Sequence, residues 1–381
     1  MERWPATTEP VTAHAIVDLD AVAANLTGLR ALVAPAAVCA VVKADAYGHG
    51  AVPVARAAVG AGAEWLAVAQ VAEGEALRDA GLDVPVLVLA EPEAGEMARV
   101  VAARLTPAVY RFDGIAAAGA AADAAGLVLP VHLKVDTGMH RVGAAPDDAV
   151  GLARAVVAHP ALELEGVWTH FAVADEPEDA FTAEQGRRYR AVLAELAAAG
   201  IRPRLRHAAN SAGALAHPDE RYDLVRCGIA VYGVAPAPGL AGALHLRPAL
   251  SLRSQVTYVK RLPAGSGVSY GRRYVLPADA VVATVGIGYA DGVRRRLAER
   301  GAEVLVRGRR RPIIGSITMD QLMVDCGPDG DGVTAGDEVV LIGQQGDERI
   351  TVDEWAARLD TIAYEVLCGL GPRVERRWIG G

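Results

Sequence analysis

The chain has 381 residues, with 38 basic and 46 acidic side chains and a formal net charge of -8. At roughly 150 residues per domain, that length points to two or three domains and excludes a single small one. Apolar residues make up 52% and charged residues 22%, which excludes a disordered or collagen-like chain, and the mildly acidic balance argues against a general nucleic-acid or anionic-membrane binder.

Met1 to Ala13 carries one basic residue, Arg3, and no apolar stretch follows it, which argues against a secretory signal. No apolar run reaches the roughly 18 residues of a membrane span, so a soluble protein is expected. Cys39, Cys227, Cys326 and Cys368 are far apart and form no CxxC pair, which points to neither a zinc site nor a disulfide framework and fits a reducing cytoplasm. The run Arg309, Arg310, Arg311 reads as solvated surface.

From Ala36 to about Gly228, short apolar runs alternate with Ala-rich segments of helical period. Eight strands are predicted: Ala37 to Lys43, Trp65 to Ala69, Pro85 to Ala90, Thr106 to Tyr110, Pro130 to Asp136, Leu164 to Thr169, Arg204 to Ala208 and Asp223 to Arg226. Eight parallel strands with intervening helices close into a TIM-like α/β barrel, whose reactive groups gather where strands run into the following loops. Between the fifth and sixth strands, Val150, Ala153, Val156 and Val157 predict a helical core face, with Pro160 just past its end.

Near Leu246 the texture changes to strands separated by Gly, Pro and Asp turns, including Val281 to Val285, Glu303 to Val306, Ile313 to Ile317, Met319 to Val324 and Val339 to Ile342. One convincing helix stands among them, Val352 to Leu359, with Thr351 as N-cap. The expected division is a barrel over residues 1–245 and a mostly β domain over 246–381. A leftover strand candidate, Ala15 to Leu19, is expected to take residues 1–20 across to pair with the second domain.

Only three lysines occur, Lys43, Lys134 and Lys260, against 35 arginines. Lys43 follows the apolar run Ala37 to Val42, which places an amine at a strand exit. An amine in an apolar surrounding has a lowered pKa and becomes a nucleophile, as imine formation requires, whereas a guanidinium does not deprotonate. On burial habits alone, a lysine whose stem packs on the strand while its head reaches water is an equal reading.

The run VVKADAYGHG from Val41 resembles the pyridoxal-phosphate lysine motif of the alanine racemase family. Further similar strings follow in order: HLKVDTGMHRVG from His132, GVWTHFAVADE from Gly166, HAANSAG from His207, VRCGIAVYG from Val225, VSYG from Val268, GYADG from Gly288, TMDQ from Thr318 and YEVLCGLGPRV from Tyr364. The resemblance implies a β/α barrel joined to a β domain, pyridoxal 5′-phosphate as cofactor, and a head-to-tail homodimer with each active site at the subunit interface. It makes Lys43 the cofactor-bearing lysine and the base on the D face. Tyr270, from the partner subunit, is then the base on the opposite face. His170 is implied as the hydrogen-bond partner of that tyrosine. Arg226 faces the pyridine nitrogen, with His207 orienting it.

Tyr47, Asn210, Ser211, Gly228, Ile229 and Tyr364 match the family's cofactor cradle. Arg141 and Met319 match residues that hold the substrate carboxylate, with Asp320 beside them, and Tyr289 lines the approach to a small pocket. Lys134 corresponds to a lysine that is carbamylated in some members, and a carbamate here is expected to pair with Arg141. The sequence departs from the commonest pattern at Thr318, where a cysteine often precedes the Met-Asp pair. The function implied is interconversion of L- and D-alanine for peptidoglycan. A serine or broad-specificity racemase, a related decarboxylase, a non-catalytic carrier of pyridoxal phosphate and a regulator are the alternatives. Arg226 argues against the decarboxylase, the second domain argues against the carrier, which does not require Tyr270 or its interface, and the joint presence of Lys43 and Tyr270 argues against the regulator.

Overall fold

A computed structural model describes residues 13–381, so the reading of Met1 to Ala13 falls, except for Ala13, outside the described residues. Contacts divide the chain into two units, one of Leu19–Pro248 and one that combines the segment ending at Asp18 with Ala249–Gly380. The first strand, β1 (His14–Asp18), belongs to the second of these.

Eight parallel strands form the first unit: β2 (Ala37–Val41), β3 (Trp65–Val68), β4 (Val86–Val88), β5 (Thr106–Val109), β6 (Leu129–Lys134), β7 (Leu162–Trp168), β8 (Leu205–His207) and β9 (Leu224–Cys227). They pair in chain order from β2 to β8, and β9 returns to lie beside β2. Backbone bonds from Asp223 N to Arg206 O (3.0 Å) and from Arg226 N to Ala209 O (2.9 Å) draw the remaining seam together. This is the predicted α/β barrel. Strands such as Trp65–Val68 and Thr106–Val109 are buried at every position, because helices cover the outside while side chains fill the inside.

Two local expectations need correction. The helix before β7 spans Ala149–Ala158 and buries Ala149, Leu152, Ala153 and Val156, an i, i+3, i+4, i+7 face, while Val157 is 59% exposed. The strand expected to reach Lys43 stops at Val41, because the chain turns left-handed just beyond it.

In the second unit β1 pairs antiparallel with β10 (Leu250–Leu262) and parallel with β19 (Glu375–Ile379). The remaining strands are β11 (Gly267–Val268), β12 (Tyr274–Val275), β13 (Ala280–Val285), β14 (Glu303–Val306), β15 (Arg309–Ile314), β16 (Leu322–Asp325), β17 (Glu338–Gln345) and β18 (Glu348–Ile350). Nine strands form one sheet in the order β18-β17-β14-β15-β16-β13-β10-β1-β19, with β11 and β12 a separate hairpin. The mostly β character is as predicted.

The strand boundaries near residue 318 differ from the expected ones. Gly315, at φ 67°, ends β15, and a turn closed by Thr318 N to Gln321 O (2.9 Å) delays β16 to Leu322. The helix Val352–Leu359 is present, with Thr351 Oγ1 accepting from Glu354 N at 3.1 Å, and a second helix, Ala363–Cys368, follows it. The arginine run is not all solvated. Arg311 is buried, donating to Cys326 O (2.7 Å) and Asp331 (2.5 Å), because alternate residues of β15 face inward. No helix among the described residues is long and apolar enough to cross a membrane.

Candidate active site

Lys43 opens a turn in which Ala44, Asp45, Ala46 and Tyr47 all sit at φ 52–53° and ψ 38–51°, one left-handed turn without a glycine. Such residues cost about 1–2 kcal/mol each relative to the right-handed form, so neighbouring groups must impose the conformation. Glu73 supplies much of that constraint. One of its carboxylate oxygens accepts Ala44 N (2.7 Å) and the other accepts Ala69 N (2.8 Å) and Gln70 N (3.0 Å), tying the turn to the loop after β3. Asp45 in turn accepts Ala51 N at 2.7 Å. The half-buried Lys43 therefore leaves the barrel strand on a fixed trajectory.

Past the turn, the Tyr47 ring lies 4.8 Å from that of Tyr232, whose hydroxyl donates to Val41 O (2.7 Å). A Cβ on Gly228 would stand 2.4 Å from the Tyr47 hydroxyl, so only a glycine lets the phenol approach the chain after β9. Ser211 Oγ accepts Gly228 N (2.9 Å) and Ala230 N (3.4 Å), with Ile229 between them. Asn210 caps the helix Ser211–Ala216, its side-chain oxygen accepting Gly213 N at 2.9 Å. Tyr47, Ser211, Gly228 and Ile229 thus meet where β8 and β9 end.

Arg226 is 3% exposed and has no carboxylate partner among the described residues. Its guanidinium donates to His207 Nδ1 (2.8 Å), Thr169 O (2.8 Å), Ala208 O (2.9 Å) and His170 Nδ1 (3.2 Å). It also lies 4.5 Å from the centre of the Trp168 ring, and burial lowers its pKa to about 10. Because a guanidinium only donates, His170 accepts at Nδ1 and a neutral His170 carries its proton on Nε2. Burial, then the charges of Arg226, Arg141, Lys134 and Lys43, hold the His170 pKa well below the ordinary histidine value.

The buried Lys134 amine lies 4.3 Å from the centre of the same Trp168 ring. Burial, followed by Arg226 and Arg141, pushes its pKa down to about 7 against the opposing Asp136. Arg141 itself is exposed. Four basic side chains, Arg226, Arg141, Lys134 and Lys43, act on His170, and Asp136 opposes them at Lys134, a balance that suits an anionic ligand.

The other candidates lie in the second unit. Tyr270 is 73% exposed, and its backbone oxygen accepts from Ser316 Oγ (3.1 Å). Tyr289 N donates to Thr318 O (2.9 Å) and Ala290 N to Met319 O (3.0 Å), which gathers Tyr289, Met319 and Asp320 in one loop cluster. Asp320 pairs with Arg373 at 2.8 Å, so its carboxylate is already engaged. Thr318 Oγ1 donates to Gln321 O at 2.9 Å, closing the turn where the common pattern has a thiol. Tyr364 lies in the helix Ala363–Cys368.

Residues the sequence reading passed over include Glu73, His132, Glu165 and Trp168. His132 had a usable signal, since it stands two residues before Lys134 and so on the same face of β6. Glu73 had the capping pattern of a helix start and nothing that pointed to Ala44.

Family profiles described as "Alanine racemase, N-terminal domain" and "Alanine racemase, C-terminal domain" match residues 17–236 and 249–378. An alanine racemase of Symbiobacterium thermophilum is 50% identical over 364 residues, 96% of each chain. The solved alanine racemase of D-cycloserine-producing Streptomyces lavendulae superposes with a TM-score of 0.93 at 42% identity, covering 98% of both chains. A histidine racemase from Leuconostoc mesenteroides subsp. sake superposes at 0.88 with 30% identity, covering 97% of this chain and 98% of that one. With both profiles matched in order across barrel and β unit, the chain belongs to the alanine racemase family.

Proposed function

We propose that the chain interconverts L- and D-alanine with pyridoxal 5′-phosphate as cofactor. The observation that carries this reading is a lysine on a constrained left-handed turn, in the same barrel as a buried arginine that has no carboxylate partner among the described residues. The residues present fit that cofactor. Lys43 would hold its aldehyde carbon, the Gly228 and Ile229 amides with Ser211, Tyr47 and Tyr364 its phosphate, and Arg226 its ring nitrogen. When bound, the cofactor supplies an electron-withdrawing ring that acidifies the substrate α-proton.

Each protein group then has a separate task. Arg226 donates a hydrogen bond without giving up a proton, which keeps electron withdrawal moderate and favours prompt return of the α-proton. Lys43 moves that proton on the D face, and Tyr270 of a second copy moves it on the other. A neutral phenol is a weak base, so forming its anion needs a hydrogen-bond donor. The Nε2–H of His170, fixed by Arg226 at Nδ1, supplies one. The Arg141 guanidinium and the Met319 amide bind the substrate carboxylate, Asp320 holds this loop through Arg373, and Tyr289 keeps the pocket small. A carbamate on Lys134 would accept from Arg141 and fix its direction.

Head-to-tail dimerisation follows from the opposite-face role of Tyr270. A cytoplasmic setting and supply of D-alanine for peptidoglycan complete the reading. A second reading, a broader-specificity or serine racemase, is supported by the similarity to the Leuconostoc histidine racemase, a protein of like fold named for a different amino acid.

Proton NMR of L-alanine and then L-serine in deuterated buffer, with chiral analysis of the same samples, tests the proposal. Deuterium at Cα with inversion, for alanine well ahead of serine, is expected. Exchange without inversion would leave one working base, and no exchange would overturn the reading.

A further inference from the structure

Behind Arg226 lies a hydrogen-bonded chain with a single direction. Its guanidinium meets His207 Nδ1 at 2.8 Å, His207 Nε2 meets His132 Nδ1 at 2.9 Å, and His132 Nε2 meets the Glu165 carboxylate at 3.3 Å. The first bond decides the others. A guanidinium has no lone pair to offer, so His207 Nδ1 accepts, and a neutral His207 carries its proton on Nε2. That proton is donated to His132 Nδ1, which leaves the His132 proton on Nε2, pointing at a group that only accepts. Burial holds His207 well below the usual histidine pKa, consistent with a neutral ring.

The surroundings hold both rings in place. His132 and His207 are 0% exposed, with the Trp65 ring 5.2 Å from His132 and the Trp168 ring stacked on His207 at 5.6 Å. A Cβ at Gly166 would fall 2.8 Å from the His132 ring, so this glycine makes room for the imidazole. Arg204, on the solvent side, binds the second Glu165 oxygen.

We infer that Glu165, acting through His132, fixes the tautomer of His207 and thereby the orientation of the Arg226 guanidinium, which makes Glu165 and His132 positioning residues for the reaction. Without the terminal acceptor, His132 is free to carry its proton on Nδ1. That would drive the His207 proton onto Nδ1, where an N–H would confront the N–H of Arg226. The inference rests on the racemase reading, in which Arg226 faces the cofactor ring.

The test is ¹⁵N-histidine NMR of the holoenzyme, with signals assigned by single histidine replacements, together with kinetics of wild type, Glu165→Gln and Glu165→Leu. Wild type should show Nε2–H tautomers at both His132 and His207. Glu165→Gln, whose amide oxygen still accepts, should retain both tautomers and stay within about twofold of wild-type kcat. Glu165→Leu should show mixed tautomers at both histidines and lose about tenfold in kcat in each direction, with KM changed less than about twofold. A proton on Nδ1 of His207 in the wild type would overturn the inference, and this measurement decides even where Glu165→Leu does not fold. Unchanged tautomers and kcat in Glu165→Leu would also overturn it. Wild type with the stated tautomers and no α-proton exchange would instead overturn the racemase reading and leave the tautomer assignment standing.

Discussion

The Glu73 carboxylate accepts the Ala44 amide at 2.7 Å, so a side chain from the helix after β3, Val71–Asp79, fixes the first residue beyond Lys43. Its other oxygen takes two amides at the start of its own helix, so one acid serves both as helix cap and as brace for the left-handed turn. Glu73→Ala removes three charge-assisted acceptor contacts and should cost about 2–4 kcal/mol of stability. Cofactor affinity, read by equilibrium dialysis, should fall at least about tenfold, because the turn relaxes toward its cheaper right-handed form. Unchanged cofactor affinity in Glu73→Ala would show that the turn holds without it.

Lys43→Ala should abolish the visible absorbance of covalently held cofactor while leaving the far-ultraviolet circular dichroism intact. Tyr270→Phe should keep that absorbance and slow α-proton loss from L-alanine by about hundredfold or more, with a much smaller effect on D-alanine. Equal slowing from both enantiomers would sink the assignment of the two faces.

Buried neutral histidines make the barrel acid-sensitive. His132 and His207 both titrate below their ordinary value, chiefly because burial disfavours the imidazolium. Below about pH 6.5 the unfolded chain takes up protons that the folded chain refuses, so stability falls with falling pH. Each group contributes a slope approaching about 1.4 kcal/mol per pH unit, present from about 6.5 downward until the folded pKa is reached. Urea unfolding at pH 7, 6 and 5 should show this loss, and a His132→Gln variant should show a shallower one. A wild-type slope no steeper than that of the variant would contradict the assignment.

Lys134, with its pKa near 7, is substantially neutral at physiological pH, and a neutral amine is what attacks carbon dioxide. The nitrogen lone pair forms the new N–C bond and one N–H proton leaves to solvent, giving a carbamate. In buffer equilibrated with ¹³C-labelled carbon dioxide, a protein-bound carbamate signal should appear in ¹³C NMR and vanish in Lys134→Ala. An intact-mass or NMR result showing only bare amine would count against it.

The barrel was legible because each strand carries its own apolar run and each helix its own period, so the eight strands could be placed from local pattern alone. Features that depend on distant partners were not. Ala44 to Tyr47 have no intrinsic preference for the left-handed region, and the acid that holds Ala44 lies 29 residues away. His132 meets His207 across 75 residues and Glu165 across 33, pairings that no local motif announces. The helix face was misjudged at Val157 because valine reads as core wherever it stands, while the buried stripe also used the small residue Ala149. Arg311 looked solvated by its charge, and its strand register placed it against Asp331. The candidate site residues came from motif resemblance, and the structure gathers the barrel members of that set around Arg226 and Ser211 and the Tyr289, Met319 and Asp320 group in one loop cluster.

The position of β1 between β10 and β19 also bears on synthesis. During translation β1 leaves the ribosome before the rest of the described chain, yet both of its neighbours in the sheet emerge only after the whole barrel sequence. The barrel segment Leu19–Pro248 is complete in sequence before β10 appears, so it is free to close first. The opening strand must wait with its hydrogen-bonding edges unpaired until Leu250–Leu262 and then Glu375–Ile379 arrive. A nascent chain arrested before residue 375 would therefore carry a folded barrel and an unfinished sheet, the species on which a chaperone would be expected to act.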